Sequence, residues 1–439
     1  MRYTIAVVAA ALMAQAAAAG PVTFSKDVAP ILWKNCAGCH RPGAVGSISL
    51  VTYADAAKRA KFVTDLTASR RMPPWRAEPG HGPFVNERRL SDADIKTLAA
   101  WAEAGAPEGD PKDLPPAPKF PEGWQLGQPD LVLKMPGRFK VPATGPDVYR
   151  CFVIPVPVDA EKTVAAVEFH PGNRRAIHHA SFFLDTKGQG RAREQETADG
   201  QPGYTSFGGP GISPTGGLGG WGLAALPQRL PDGTGMILPK GADLVMQIHY
   251  HPTGKDEVDQ SEVGVYFTRA PATRFVTTFA ARTTDIAIPP GEKRHRVTCE
   301  SAPLPVDVTL LTATPHMHFL GREITTTVVY PGGKERPLVS IKDWDFHWHE
   351  RYQFQDPLRL PKGTVVKVEA FYDNSADNPK NPNSPPKLVK YGNNLTDEMV
   401  SCHLELVVDS RADLQAVLGL RGAQFGAGEM KNAREAGKK

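Results

Sequence analysis

The sequence predicts a small all-α domain followed by two antiparallel β-sandwich domains, and three observations carry that prediction. Apolar residues recur at helical spacing only near the N-terminus. A Pro-rich polar stretch then interrupts the pattern, and short runs of β-branched residues between turn signals fill the rest. At 439 residues the chain is long enough for two to four domains. Its 41 Gly and 41 Pro favour turns and β architecture over long helices. The net charge of +4 is small for this length and spread along the chain, so composition offers no case for a nucleic-acid partner.

Taken in order, residues 1–19 read as a secretory signal: Arg2, an apolar run from Ile5, then small residues up to Ala19. An uncleaved anchor is the alternative, but the run is shorter than the ~20 residues that a span needs. No later segment is apolar enough to cross a membrane, so a mature protein in an oxidising compartment, a bacterial periplasm or the exterior, is expected. Residues 22–107 form the helical unit. Val28, Ile31 and Leu32 share one face; Ser91 caps a second helix whose apolar face is Ile95, Leu98, Ala99 and Ala102, with Gly105 at its end. Residues 108–124 are a semi-rigid Pro-rich linker. Sandwich domains over 125–268 and 269–409 follow, then a tail over 410–439 that begins as a weak helix. The Gly-rich stretch GYTSFGGPGISPTGGLGGWG lacks the strand-then-helix frame of a phosphate cradle and reads as a loop.

Cys36-Ala37-Gly38-Cys39-His40 is the attachment pattern of a c-type haem, two thiols for the vinyl groups and an imidazole for the iron. A redox dithiol would be expected near a βαβ pattern and a zinc site needs a second ligand pair; neither is present. Met72, in a Pro-containing loop between the helices, is the preferred sixth ligand, because a thioether raises the potential as electron transfer requires. His81 is its rival, and a core-filling role for Met72 is the bland alternative. With WAEAGAP near its end, the unit resembles small class I bacterial cytochromes c.

Four histidine pairs stand in the β region: His178-His179, His249 with His251, His316 with His318, and His347 with His349. Residues two apart on a strand share a face, so each spaced pair can approach one metal ion. Adjacent His178 and His179 face opposite sides unless the strand bends or different ring nitrogens are used. Imidazole-rich sites with a thioether suit copper better than magnesium or calcium. Spacing alone does not choose among the pairs.

Context adds a resemblance. DVYRCFVIPVPVDAEKTVAAVEFHPGNRRAIHHASFFL, GWGLAALPQRLPDGTGMILPKGADLVMQIHY, IPPGEKRHRVTCESAPLPVDVTLLTATPHMHFLG and NNLTDEMVSCHLELVV resemble, in order, segments of the copper type II ascorbate-dependent monooxygenases. The likeness runs from about 124 to 409. It implies jelly-roll-like sandwiches and two coppers, the first held by His178, His179 and His249, the second by His316, His318 and Met399. Gln247 also matches a position near the first metal, whereas His170, His251, His347, His349 and His403 match no ligand. Thr314 stands where the peptide-amidating members carry a substrate-binding arginine, and His403 where they carry a tyrosine, so a peptide ending in glycine is a poor substrate candidate. Cys299 matches a family half-cystine with Cys402 as its nearby candidate partner; Cys151 matches a family cysteine whose partner is missing.

The resemblance implies a copper monooxygenase that hydroxylates a small organic substrate with O2. The Met399-bearing copper would bind O2, and the all-histidine copper would donate an electron across a solvent-filled cleft. Two electrons would come through the tethered haem c, from ascorbate, or from a periplasmic redox protein. The alternative class is a non-catalytic periplasmic electron carrier or copper-binding protein, and a haem-based sensor is a third.

Overall fold

A computed structural model describes residues 20–420, apart from 45, 86, 121–122, 198, 208, 223–225, 349 and 393. The expected signal over 1–19, the end of the expected tail (421–439) and His349 lie outside the described residues. The chain divides into two units: residues 1–73 with 89–118, and residues 74–88 with 119–439. No helix among the described residues is long and apolar enough to cross a membrane.

The first unit carries the short helices Phe24–Val28, Ala29–Asn35, Tyr53–Ala57, Ala60–Ala68 and Asp92–Glu103. Ser91 caps the last of these through a reciprocal capping box with Asp94, worth roughly 1 kcal/mol. That helix ends at Gly105, whose positive φ of 82° suits the left-handed stop. Phe24, Val28, Leu32, Leu98 and Trp101 are buried in one small core, with Ile31, Ile95 and Ala102 packed against it. Full burial of Leu32 or Leu98 contributes about 2 kcal/mol each.

The second unit holds two large hydrophobic cores, each between two sheets, and a small buried cluster of Cys151, Val153, Tyr204 and Val245. The first core lies between strands Leu131–Lys134, Glu262–Phe267, Lys162–His170 and Thr234–Leu238 on one side, and Val148–Pro155, Asp243–Tyr250, Ile177–Asp185 and Gly216–Gly222 on the other. The second lies between strands Arg274–Thr283, Val400–Val408, Val308–Met317 and Tyr352–Leu360, and strands His295–Glu300, Val365–Tyr372, Gly321–Val329 and Glu335–Ile341. Among the described strands, pairing is antiparallel with one exception. Arg274 and Phe275 lie parallel to Thr234 and Gly235, which joins the facing sheets of the two sandwiches into one eight-stranded sheet. A purely antiparallel expectation misses this seam, because a two-residue parallel contact between distant segments leaves no local pattern.

Residues 74–88 are packed as part of the second sandwich. Trp75, Ala77 and Phe84 are buried in its core, and bridges tie Ala77 to Ile341 and Phe84 to Phe354. Arg88 is ion-paired with Glu350, both largely withdrawn from solvent.

Two expectations need correction. The Gly-rich stretch is not all loop, since it contains the strands Tyr204–Thr205 and Gly216–Gly222. Glycine is needed there for close approach: a Cβ on Gly220 would meet the carbonyl of Ala180 at 2.8 Å. The Cys299–Cys402 disulfide does not form. Cys299 and Cys402 occupy opposite sheets of the second sandwich, and burial pushes both thiols up to about 12.

Candidate metal centres

The first centre is built on neighbouring strands of the first sandwich. His179 stands opposite His249, and Ile177 opposite Tyr250, so His178 is an extra residue between them. That β-bulge re-aims His178, which alternation would have sent to the other face, toward the same point as His179. The three imidazoles converge. Nδ1 of His178 lies 3.2 Å from Nδ1 of His179, and Nδ1 of His249 lies 3.3 Å from it. A tetrahedral ion with nitrogen bonds of about 2.0 Å places its ligands ~3.3 Å apart.

Hydrogen bonds on the far side of two rings leave those Nδ1 atoms as bases. His178 Nε2 donates to the carbonyl of His347 at 3.2 Å, and His249 Nε2 donates to the Asp147 carboxylate at 2.7 Å. Nitrogen lone pairs aimed at one another repel unless a cation lies among them, so the donor set fits a metal. Burial, reinforced by His249, pushes the pKa of His178 down to about 4, which keeps it neutral and able to ligate near pH 7. Burial opposes ionisation of Asp147, but its hydrogen bonds to His249 and His251 prevail and hold its carboxyl below the usual range.

Asp147 and Tyr149 are functional residues that the sequence reading missed. Tyr149 pairs in register with His249 and stacks on its ring, with centroids 4.2 Å apart and planes within 10°. The available signal was the two-residue spacing of Asp147, just before the strand Val148–Pro155, and Tyr149 within it. His251, assigned no ligand, bonds Asp147 through Nδ1 at 2.8 Å. Gln247 turns its amide to the carbonyls of Ser206 and Gly209, at 2.9 and 2.6 Å.

The second centre sits at the end of the strand Val308–Met317. His316 and His318 share a face, with ring centroids 5.2 Å apart. Met317 is paired with Val400 and His316 with Ser401, and just past these strand ends Glu398 accepts the N–H groups of both His318 and Met399. Two imidazoles and a thioether are thus carried on adjoining segments, a soft donor set that fits copper. His318 Nδ1 donates to the carbonyl of Asp397 at 3.0 Å, which leaves Nε2 for a metal, the reverse of the first centre. Burial lowers the pKa of His318.

Glu398, also missed, is fully buried beneath this centre. Its carboxylate accepts the backbone N–H groups of His318, Leu320 and Met399, at 2.8, 2.7 and 3.1 Å, and so ties both ligand-bearing segments together. Burial pushes its pKa up to about 8. Of the other histidines, His170 stacks on Trp124 and bonds Glu168, His403 is exposed, and His347 is exposed but turns its carbonyl to His178.

In the first unit, Cys36, Cys39 and His40 follow the helix Ala29–Asn35 in a tight turn, with Cys39 and His40 N–H groups donating to the Cys36 carbonyl. His40 Nδ1 donates to the carbonyl of Ile48 at 3.2 Å, leaving Nε2 for iron. A Cβ on Gly46 would meet His40 Nδ1 at 2.6 Å, so only glycine lets that loop close over the ring. The two thiols and the imidazole are the residues that would hold a haem. Met72 is half-buried in the same unit, whereas His81 belongs to the other.

Residues 275–405 match the family model described as copper type II ascorbate-dependent monooxygenase, C-terminal domain. The match spans the second sandwich and its centre. MOXD1 homolog 1 of Drosophila melanogaster is 24% identical over 167 residues, 35% of this chain and 24% of that protein, so the chain spans about a quarter of the relative's length. Among solved structures, one of infectious bursal disease virus (Gx strain) covers 64% of this chain and 72% of its own, at 7% identity and a TM-score of 0.20. The PBSX exported protein XepA covers 64% of this chain and 87% of its own, at 7% identity and a TM-score of 0.16. Likeness that low carries no argument. The family match makes the second sandwich copper monooxygenase-like.

Proposed function

We propose that this chain is a copper-dependent monooxygenase that inserts one oxygen atom of O2 into a C–H bond of a small organic substrate. The observation that carries the reading is the convergence of His178, His179 and His249 on one point, in a chain whose other sandwich matches the family. In balance, substrate, O2, two electrons and two protons give the hydroxylated product and water. Bound copper would supply the electrons singly, one from each centre, at His178, His179 and His249 and at His316, His318 and Met399. The chain's own part is to aim these imidazoles, through the Asp147 carboxylate and the carbonyls of Asp397 and His347, while burial favours the neutral form of His178 and His318.

In the same reading, Cys36, Cys39 and His40 bind a haem c, with Met72 as sixth ligand, which would feed single electrons alongside or in place of ascorbate. The N-terminal unit is then a cytochrome c domain and the protein works in the periplasm.

Oxygen consumption by copper-loaded protein with ascorbate, across a panel of small aromatic and aliphatic compounds, tests the activity. Uptake matched by equimolar hydroxylated product is expected; copper binding without substrate-dependent uptake would leave a copper-binding or electron-transfer protein. The haem feed is tested by mixing reduced protein with O2. Haem reoxidation should be faster in copper-loaded than in copper-free protein, and equal rates would contradict it.

A further inference from the structure

A half-open cavity of about 460 Å³ adjoins the second centre, lined by Phe319, Trp344, Asp345, Phe346, His347 and Lys380 among others. Its volume lies in the range of small-molecule pockets. Its wall touches both candidate centres. The Phe346 ring packs edge-on against His318 at 5.7 Å, and the Trp344 indole N–H donates to the His318 carbonyl at 3.0 Å. On the other side, the His347 carbonyl accepts from His178.

We infer that this cavity binds a small aromatic carboxylate, an inference that rests on the monooxygenase reading for its catalytic meaning but not for the binding itself. The walls decide the ring. Phe319 and Phe346 lie 4.7 Å apart and tilted by 45°, and with the buried Trp344 they offer edges and faces to a planar apolar guest. The charge decides the anion. Asp345 is already held: one oxygen takes the His347 N–H at 3.1 Å and the other pairs with Arg76 at 3.5 Å. Lys380 is different. It donates one hydrogen bond, to the Trp344 carbonyl at 3.1 Å, and makes no ion pair among the described residues. Two of its three N–H donors remain for a ligand, and that bond fixes the ammonium at the aromatic wall. One uncompensated positive charge beside three rings selects an aromatic monoanion over an amine or a neutral arene.

The test uses the full chain, copper-loaded and copper-free, titrated with phenylacetate and with phenylacetamide and followed by calorimetry and Trp344 fluorescence. Phenylacetate should bind about tenfold more tightly than the amide, the worth of one hydrogen bond to a charged group. Lys380→Met should bring the acid down to the level of the amide, Lys380→Arg should keep the preference, and Phe346→Ala should weaken both ligands alike. Equal binding of acid and amide by the unmodified protein, or a preference that survives Lys380→Met, overturns the proposal. Copper content is measured in parallel so the two readings can fail separately. Acid-selective binding by protein that takes up no copper on loading upholds the pocket and removes the monooxygenase; copper held without acid-selective binding removes the pocket alone.

Discussion

Asp147 bonds His249 through Nε2 at 2.7 Å, and by doing so leaves Nδ1 as the nitrogen turned toward His178 and His179. The same carboxylate holds His251, so one half-buried acid orients two imidazoles. Asp147→Asn keeps the shape but loses the charge that favours this orientation. Copper affinity at the first centre should fall roughly 10- to 100-fold, read by competition with a chelator. Unchanged affinity would show that Asp147 does not position His249.

Acid should loosen the copper-free protein through His178. Its folded pKa, about 4, lies below the ordinary 6.5, so the unfolded chain binds the proton first. The stability from this residue is therefore complete above about pH 6.5 and lost as pH falls toward 4, up to ~3 kcal/mol. Melting temperatures of the copper-free protein across this window should drop more steeply than those of His178→Gln. Parallel curves would remove the attribution.

Removing the buried Glu398 carboxylate should cost more than an ordinary core polar group. Glu398→Ala leaves the backbone N–H groups of His318, Leu320 and Met399 without their acceptor, at about 1–3 kcal/mol each for buried donors. Glu398→Gln keeps an acceptor oxygen and should lose less. Denaturant titration of both variants checks the order, and equal loss would contradict it.

Arg88 and Glu350 form a largely buried pair within the β unit, and burial pushes the Glu350 carboxyl upward. Arg88→Met should destabilise by roughly 3–5 kcal/mol, because it strands a buried acid. Adding Glu350→Leu should recover most of that loss. A double variant no more stable than the single would mean that packing of Arg88 against Trp75 matters more than its charge.

Much of this molecule was legible in local pattern. The Ser91 cap, the Gly105 stop and the period-two strands follow from side-chain chemistry and backbone geometry that act over a few residues. His316 and His318 were readable as a pair for the same reason. His178 and His179 were not, since the bulge that joins them depends on the register of the partner strand. Asp147 became meaningful only with His249 and His251 opposite it, and the seam at Thr234–Gly235 only with the second sandwich in place. Local rules name the donors; tertiary register decides which nitrogens meet.

The central claim is that two separate centres of three donors each hold copper. Metal analysis with copper EPR, on unmodified protein, His178→Ala and His316→Ala, tests it most directly. The account predicts two equivalents in the first and one in each variant, with different spectra for the two survivors. Fewer than two equivalents in the unmodified protein, or two retained in either variant, would contradict it.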